Sequence, residues 1–201
     1  RNQYVELKAN PEYFKGAPKI DKLYFKIVSP PNLVTQLESG EIQMNFPEIG
    51  AIPIEDYERV QNLAHIRTID GQPLTYKFLS INNKRITDRR LRQALAYAIN
   101  REVLIKNLLK GYGVTVNVPY PPSHPYYNKA TEGAYYYDPD KAKQLLHEAG
   151  WDPNQTIEFM VMTSDPILVQ AAPIIQQNLQ EVGVKTEILT VDISAGAQKL
   201  R

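Results

Sequence analysis

Residues 81–113 constrain the fold more than any other part of the chain, because a turn, a helix cap and two helical periods follow one another there. Asp88 stands where its carboxylate can accept from the free backbone N–H groups of a first helical turn. Apolar side chains then recur at helical spacing and form one stripe: Leu91, Ala94, Leu95, Ala98 and Ile99. Asn100 offers a second cap, and a further apolar face runs on to Gly111. The pattern predicts a helical hairpin or a kinked helix that packs on a sheet, with its apolar stripe buried.

Elsewhere the sequence alternates between short strand patterns and helix patterns. Strands are predicted at residues 4–9, 20–28, 42–46, 66–69, 74–81, 157–162 and 184–191, and further helices at residues 33–39, 54–62, 138–149 and 166–182. Asn32 and Asp138 are predicted helix caps, and Pro173 predicts a kink or a break near Ala172. Residues 117–129 are rich in proline and tyrosine, so they are predicted to form a stiff surface segment rather than a helix. The order of elements predicts an α/β fold with a mixed sheet and helices packed on its faces.

The composition limits the classes of function. The chain has 201 residues, of which 43% are hydrophobic, so it can bury a sizeable core. Its 23 Lys and Arg residues against 22 Asp and Glu leave a net charge of +1, which gives no overall field for nucleic acid or an anionic membrane. No run of 18 apolar residues is present, so no membrane-spanning helix is predicted. The absence of cysteine removes disulfides, thiol catalysis and cysteine-based zinc sites.

The sequence offers no catalytic constellation. Its three histidines, His65, His124 and His147, do not pair at the spacing of metal ligands. No G-x-S-x-G motif, phosphate-binding loop or G-x-G-x-x-G motif occurs. Asp138 and Asp165 are explained by the capping of helices. We therefore predict a protein that is not an enzyme, with no catalytic residues, no metal site and no cofactor.

Four motifs in register resemble one family. They are DRRLRQALAYAINR at residues 88–101, LESGEI at residues 37–42, YDPDKAKQLLHEAGW at residues 137–151, and the helix and strand of residues 172–188. Together they closely resemble the extracellular solute-binding proteins of the peptide/nickel-binding family, family 5, of ABC importers. The order and spacing of the motifs fit this family over nearly all of the chain.

The resemblance implies a fold and a domain organisation. Family members have two lobes and are much longer than this chain, which matches their middle stretch. We therefore expect residues 1–201 to be a single lobe, the middle or second one, of a type II periplasmic-binding-protein-like protein. The absence of methionine at Arg1, and a final helix pattern that stops after two turns, agree with an excised fragment. In many peptide-binding relatives, the carboxylate that holds the peptide amine follows this region, so we expect it beyond Arg201.

Five residues are candidates for contact with a ligand. In family members the strand that corresponds to residues 74–81 borders the binding cleft, so Tyr76, Phe78 and Asn82 are candidates for lining it. Ile193 falls where several relatives carry an aromatic residue in the cleft. His124, in the proline-rich segment, is either a surface residue or a ligand contact.

The resemblance implies the substrate-binding component of an ABC importer. Such a protein captures oligopeptides, or a nickel complex or similar solute, and delivers them to the permease subunits in the membrane. The implied location is extracytoplasmic, either in the periplasm or at the cell surface on a lipid anchor, and the implied state is monomeric, with no nucleic acid as partner. The alternative function is a free-standing protein-interaction domain that uses residues 117–129 as its contact surface.

Overall fold

The chain divides into two compact units, Arg1–Asp70 and Gly71–Arg201. In this computed structural model, residues 4–46, 52–69, 71 and 76–199 are described. The first unit contains the strands β1 (Tyr4–Lys8) and β2 (Lys22–Lys26), the helix α1 (Pro30–Glu38), a 3₁₀ turn (Ile54–Asp56) and the short helix α2 (Tyr57–Gln61). Its strands pair antiparallel as a hairpin. The division does not test the expected single lobe, which stays a prediction.

The core of the first unit lies between its two helices. Leu33, Val34 and Leu37 of α1 are buried, and so is Val60 of α2. The helices are also joined at the surface, since Arg59 Nε lies 2.8 Å from Glu38 Oε1. No residue of β1 or β2 is buried, so the hairpin adds nothing to this core.

The second unit contains the remaining elements. They are α3 (Arg89–Ala98), α4 (Arg101–Leu108), a 3₁₀ turn (Lys129–Thr131), α5 (Pro139–Glu148), β3 (Thr156–Met162), α6 (Pro166–Glu181), β4 (Lys185–Val191) and α7 (Ile193–Lys199). Three predicted caps are confirmed: Asp88, Asn100 and Asp138 each accept a hydrogen bond from a backbone N–H of the following first turn. These caps fix where α3, α4 and α5 begin.

The core of the second unit is built around α3. Ala94, Leu95 and Ala98 are buried, whereas Leu91 is only half-buried. They pack against α5, which contributes Ala142, Leu145 and Leu146, and against Leu179 and Val184 of the α6 region. The apolar stripe predicted from the sequence is therefore the centre of this core, with Leu91 at its edge.

The strands β3 and β4 form a parallel pair joined by α6. Ala171, Ala172 and Leu179 give α6 its buried side, and Gly183, with φ +90°, ends the helix in a conformation that few residues other than glycine adopt. The helix α7 packs close to both strands: a Cβ atom on Gly196 would lie 3.3 Å from Met162 Cε and 3.4 Å from Val191 Cγ2. The pair is thus covered by helices, as the α/β prediction requires.

Several local predictions are wrong. Residues 42–46, 66–69 and 76–81 form no strand, and residues 74–75 of the predicted strand at 74–81 lie outside the described residues. Asn32 is not a cap, because α1 already begins at Pro30. Pro173 does not break α6, which continues through it, and the predicted alternative of a kink stays a prediction. The described strands make two separate two-stranded sheets, one antiparallel and one parallel.

Candidate functional site

The carboxyl ends of β3 and β4 form one edge of the second unit. Met162 and Val191 are register partners at the end of the parallel pair. Directly beyond them, the backbone N–H of Thr163 donates to the carbonyl oxygen of Val191 at 2.9 Å, which joins the ends of β3 and β4. Both α6 and α7 begin just after this edge. In open α/β sheets, ligands bind outside the carboxyl ends of the strands, so this edge is the first place to look for a site.

Asp165 ties a distant segment to this edge. Its carboxylate caps α6 by accepting from the backbone N–H groups of Ile167 at 3.1 Å and Leu168 at 3.3 Å. It also accepts a hydrogen bond from the ammonium group of Lys77, to which it is ion-paired. Burial raises the pKa of Asp165, but the bonds from Lys77 and from the two N–H groups lower it more, so the net pKa is lowered. The carboxylate is therefore ionised at neutral pH, and Lys77 is fixed beside it.

Tyr76 and Phe78 flank Lys77 in the sequence, so the ion pair of Lys77 with Asp165 keeps their backbone near the same edge. Their ring centroids lie 5.5 Å apart at an interplanar angle of 43°. Tyr76 is 38% exposed and Phe78 is 70% exposed, so both rings face solvent to a large extent. No backbone hydrogen bond joins residues 76–80 to any other part of the chain that the structure describes. The segment presents two aromatic side chains and open backbone groups at one place.

The other predicted residues differ in their surroundings. Ile193 is the first residue of α7 and is exposed beside the carboxyl end of β4, so it belongs to the same edge. Asn82 is used by a turn: its Oδ1 accepts from the backbone N–H of Lys84 at 2.9 Å and of Arg85 at 3.3 Å. These two hydrogen bonds give the Asn82 side chain a structural role that does not require a ligand.

His124 lies in a separate aromatic cluster within the proline-rich segment. Its ring stacks on Tyr120 with centroids 4.7 Å apart and lies 5.5 Å from the ring of Tyr126. Its Nδ1 accepts from the backbone N–H of Tyr126 at 3.2 Å. Tyr126 is 77% exposed. Among the described residues, the hydrogen-bond and ring partners of His124 all lie in this segment. His124 is therefore not joined to the edge formed by the carboxyl ends of β3 and β4, which we call the strand edge.

Arg101 contacts the chain on both sides of this segment, at residues 116–117 and at Tyr135. One of its nitrogens donates to the carbonyl oxygen of Val116 at 3.0 Å and to Asn117 Oδ1 at 2.9 Å, and another donates to the carbonyl oxygen of Tyr135. Asn117 Nδ2 in turn donates to the carbonyl oxygen of Thr131 at 3.0 Å. Burial lowers the pKa of Arg101. Sequence analysis missed this role, because its acceptors are mostly backbone carbonyl oxygens and no residue type marks them.

Sequence analysis also missed Lys77. Asp165 was interpreted as a helix cap, which the structure confirms, but its ion pair spans 88 residues. The only feature of the sequence that could have marked Lys77 is its position between Tyr76 and Phe78, and this pattern does not identify Asp165 as the partner of its ion pair.

Other surfaces of the second unit are less suited to a site. An open depression of about 360 Å³ lies beside α4 and is lined by residues that include Glu102, Lys106 and Thr115. Within the described ranges, no group of three or more His, Asp or Glu residues is placed to hold a metal ion. No described helix has both the length and the hydropathy needed to cross a bilayer.

The fold places the chain among type II periplasmic-binding-protein-like proteins, which confirms the predicted fold class. NikA from Brucella suis, solved in complex with Fe(III)-EDTA, superposes with a TM-score of 0.87 at 24% identity, over 98% of this chain and 42% of that one. At that identity, the likeness shows the fold alone. The chain belongs to the bacterial extracellular solute-binding proteins, family 5, whose middle-region model matches residues 1–200. This confirms the predicted family, whose members are solute-binding transport proteins and not enzymes.

Two relatives illustrate the family. The oligopeptide-binding protein AppA of Bacillus subtilis is 29% identical over 216 residues, which cover 100% of this chain and 39% of AppA. Its structure in complex with a nonapeptide matches with a TM-score of 0.73. The dipeptide-binding protein of Escherichia coli is 30% identical over 198 residues, which cover 96% of this chain and 36% of that protein. The chain thus spans well under half the length of these relatives.

Proposed function

We propose that this chain is part of the substrate-binding component of an ABC importer, which captures oligopeptides or a similar solute and delivers them to membrane permease subunits. The observation that carries the proposal is the strand edge of the second unit, where Tyr76, Phe78 and Ile193 are exposed around the Lys77–Asp165 pair. The peptide class is favoured by the relatives, since AppA was solved with a nonapeptide.

The local geometry suits capture of a peptide backbone. Residues 76–80 have no backbone hydrogen bond to another described part of the chain, so their N–H and C=O groups can pair with a ligand backbone. The rings of Tyr76 and Phe78 offer flat apolar surface beside these groups. Main-chain pairing is independent of ligand sequence, so a site of this kind accepts varied peptides.

The proposal assigns residues 1–201 to a single lobe, the middle one, of a two-lobe protein. The shares of 36% and 39% that the chain covers in its relatives support this assignment. A ligand would then be held between this lobe and another, and closure would exclude water from both of its faces. The full protein is proposed to act as a monomer, in the periplasm or on a lipid anchor at the cell surface, and the extracellular character of the family supports this location.

Calorimetry with a defined pool of oligopeptides tests the proposal. We expect the complete polypeptide to bind with a Kd in the micromolar range or below, which corresponds to about −8 kcal/mol or more negative. The 201-residue chain alone should bind at least roughly 100-fold more weakly, because one surface cannot offset the lost freedom of the ligand. Equal and tight binding by the 201-residue chain would refute the two-lobe mechanism.

Point variants of the complete polypeptide locate the site. Phe78→Ala and Tyr76→Ala should each weaken peptide binding by about two- to tenfold, on the order of the 0.5–1.5 kcal/mol that an aromatic contact contributes. Tyr126→Ala is the matched control, since Tyr126 is as exposed as Phe78 but belongs to the proline-rich segment. Unchanged binding in both strand-edge variants would remove this site from the proposal.

A second candidate function is protein interaction through residues 117–129. The specific observation in its favour is the cluster of Tyr120, His124 and Tyr126, whose segment is bonded to Arg101 through Asn117. A preorganised segment with exposed aromatic rings loses little freedom on binding. The same calorimetry separates the two candidates, because loss of peptide binding in Tyr126→Ala alone would favour this segment.

A further inference from the structure

Residues 76–80 lack the backbone bonds that hold a helix or a strand in place. They belong to no helix or strand, and no backbone hydrogen bond joins them to another part of the chain that the structure describes. The next residue, Ile81, is partly buried and packs against the core of the second unit. Within the described residues, the order of the segment before Ile81 therefore has to come from side-chain contacts.

The ion pair of Lys77 with Asp165 is such a contact, and Asp165 is a fixed partner in it. Its Oδ1 accepts the two capping bonds from Ile167 and Leu168 at the start of α6, whereas its Oδ2 accepts from Lys77. The cap and the ion pair therefore use different oxygens and do not compete. The Asp165 side chain is 23% exposed, so salt screens the pair less than it would screen two fully solvated charges.

The pair also decides which side of the segment meets the solvent. The rings of Tyr76 and Phe78 lie 5.5 Å apart, as expected for side chains two residues apart on one side of an extended segment. The side chain of Lys77, which lies between them in the sequence, reaches Asp165 instead. An ammonium group held at Asp165 therefore keeps the two rings turned towards solvent.

We propose that Lys77 and Asp165 are positioning residues for peptide binding, because their ion pair holds residues 76–80 with both aromatic rings and the open backbone groups presented to the ligand. This proposal rests on the proposed function and adds the device that prepares its site. Neither residue has to contact the peptide, since a segment that is ordered beforehand loses less freedom on binding. An ion pair between partly exposed groups is weak, so its loss should lower the affinity by about two- to fivefold.

Limited digestion with chymotrypsin measures the positioning without any ligand. In the complete polypeptide, Lys77→Met removes the charge but keeps a long side chain. It should speed cleavage after Phe78 at least about threefold, because a loosened segment enters the protease more often. Lys77→Arg keeps the ion pair and should be cleaved at the unaltered rate. Lys199→Met is the matched control, since it breaks another exposed ion pair of the second unit, that of Lys199 with Glu158 at 3.4 Å.

Calorimetry of the same variants with a defined pool of oligopeptides measures the consequence for binding. Lys77→Met should raise the Kd by about two- to fivefold, in proportion to the small contribution of an exposed ion pair. Lys77→Arg should restore the Kd of the unaltered protein, and Lys199→Met should leave it unchanged. Asp165→Asn, which keeps a capping side chain, repeats both measurements from the other partner, and circular dichroism checks that each variant folds.

The two measurements separate the possible failures. Unchanged cleavage in Lys77→Met would overturn the proposal, whatever the affinity. Faster cleavage with unchanged affinity would also overturn it, because the pair would then order a segment that the peptide does not use. A loss of affinity that Lys77→Arg fails to restore would exclude positioning by charge. Absence of peptide binding by the unaltered complete polypeptide would overturn the proposed function and this proposal with it, while the cleavage rates would still show whether the pair orders the segment.

Discussion

Shortening Leu95 to alanine tests the packing that holds the second unit together. Leu95 is 5% exposed and lies in the core formed by α3, α5 and the α6 region. Its neighbours Leu146, Trp151 and Val184 line a small, partly open pocket of about 10 Å³ beside it. Leu95→Ala should therefore enlarge this existing pocket.

The expected loss follows from the atoms removed. Leu→Ala deletes an isopropyl group, which at about 0.8 kcal/mol for each of roughly three buried carbons gives a transfer cost of about 2.4 kcal/mol. The residual cavity adds to this, within the range of about 2–5 kcal/mol measured for such changes. Because Leu95 is almost fully buried, nearly all of the transfer cost applies.

Urea unfolding followed by tryptophan fluorescence measures this loss. Trp151 is the only tryptophan and packs against the same core, so its signal reports on the second unit. The midpoint should fall while the slope of the transition stays unchanged. Leu79→Ala is the matched control, because Leu79 is exposed and should cost less than about 1 kcal/mol. If Leu95→Ala costs no more than Leu79→Ala, the assignment of α3 to the core is wrong.

Three further predictions follow from the contacts described above. Arg101→Met should speed limited proteolysis within residues 117–135, because the guanidinium donates to groups at both ends of that segment, whereas Arg89→Met, on the exposed side of α3, should not. Because the pKa of Asp165 is lowered in the folded protein, its contribution to stability is present above the ordinary carboxyl pKa of about 3.9 and is lost as the pH falls further. Asp165→Asn keeps a capping side chain but loses the charge paired with Lys77, so its deficit in urea stability at pH 7 should shrink towards pH 3, and a constant deficit would contradict this reasoning. A chelator should leave the melting temperature unchanged, and a lowered value would reveal a structural metal.

The sequence was most informative where a few adjacent residues decide the structure. The caps at Asp88, Asn100 and Asp138 and the apolar period of α3 each depend on contacts within one or two helical turns. The prediction of a cap at Asn32 was wrong because Pro30 and Pro31 fit the first helical positions. The helix α1 therefore begins at Pro30, before Asn32. Local chemistry therefore predicted the helices well and their boundaries less well.

Strands were harder to predict because each one needs a partner. Residues 76–81 have the alternation of a strand, yet they have no backbone pairing within the described residues. At Pro173 the local rule favoured a kink or a break, but α6 continues through Pro173 and packs against β4. The Lys77–Asp165 pair could likewise not be predicted from the sequence, since its members are 88 residues apart. In each case a distant contact decided the outcome.

The exposure of the strand-edge aromatics explains why affinity should require a second surface. Tyr76 and Phe78 keep 38% and 70% of their surface in water, and this is the area of the two side chains that a ligand could cover. Apolar burial contributes roughly 25 cal/mol per Å², and binding must first offset at least about 4 kcal/mol of lost ligand freedom. A surface that covers the other side of the peptide removes the remaining ring area and the peptide backbone from water at once. Under the proposed function, peptide capture by this edge would therefore depend on closure against another part of the complete protein.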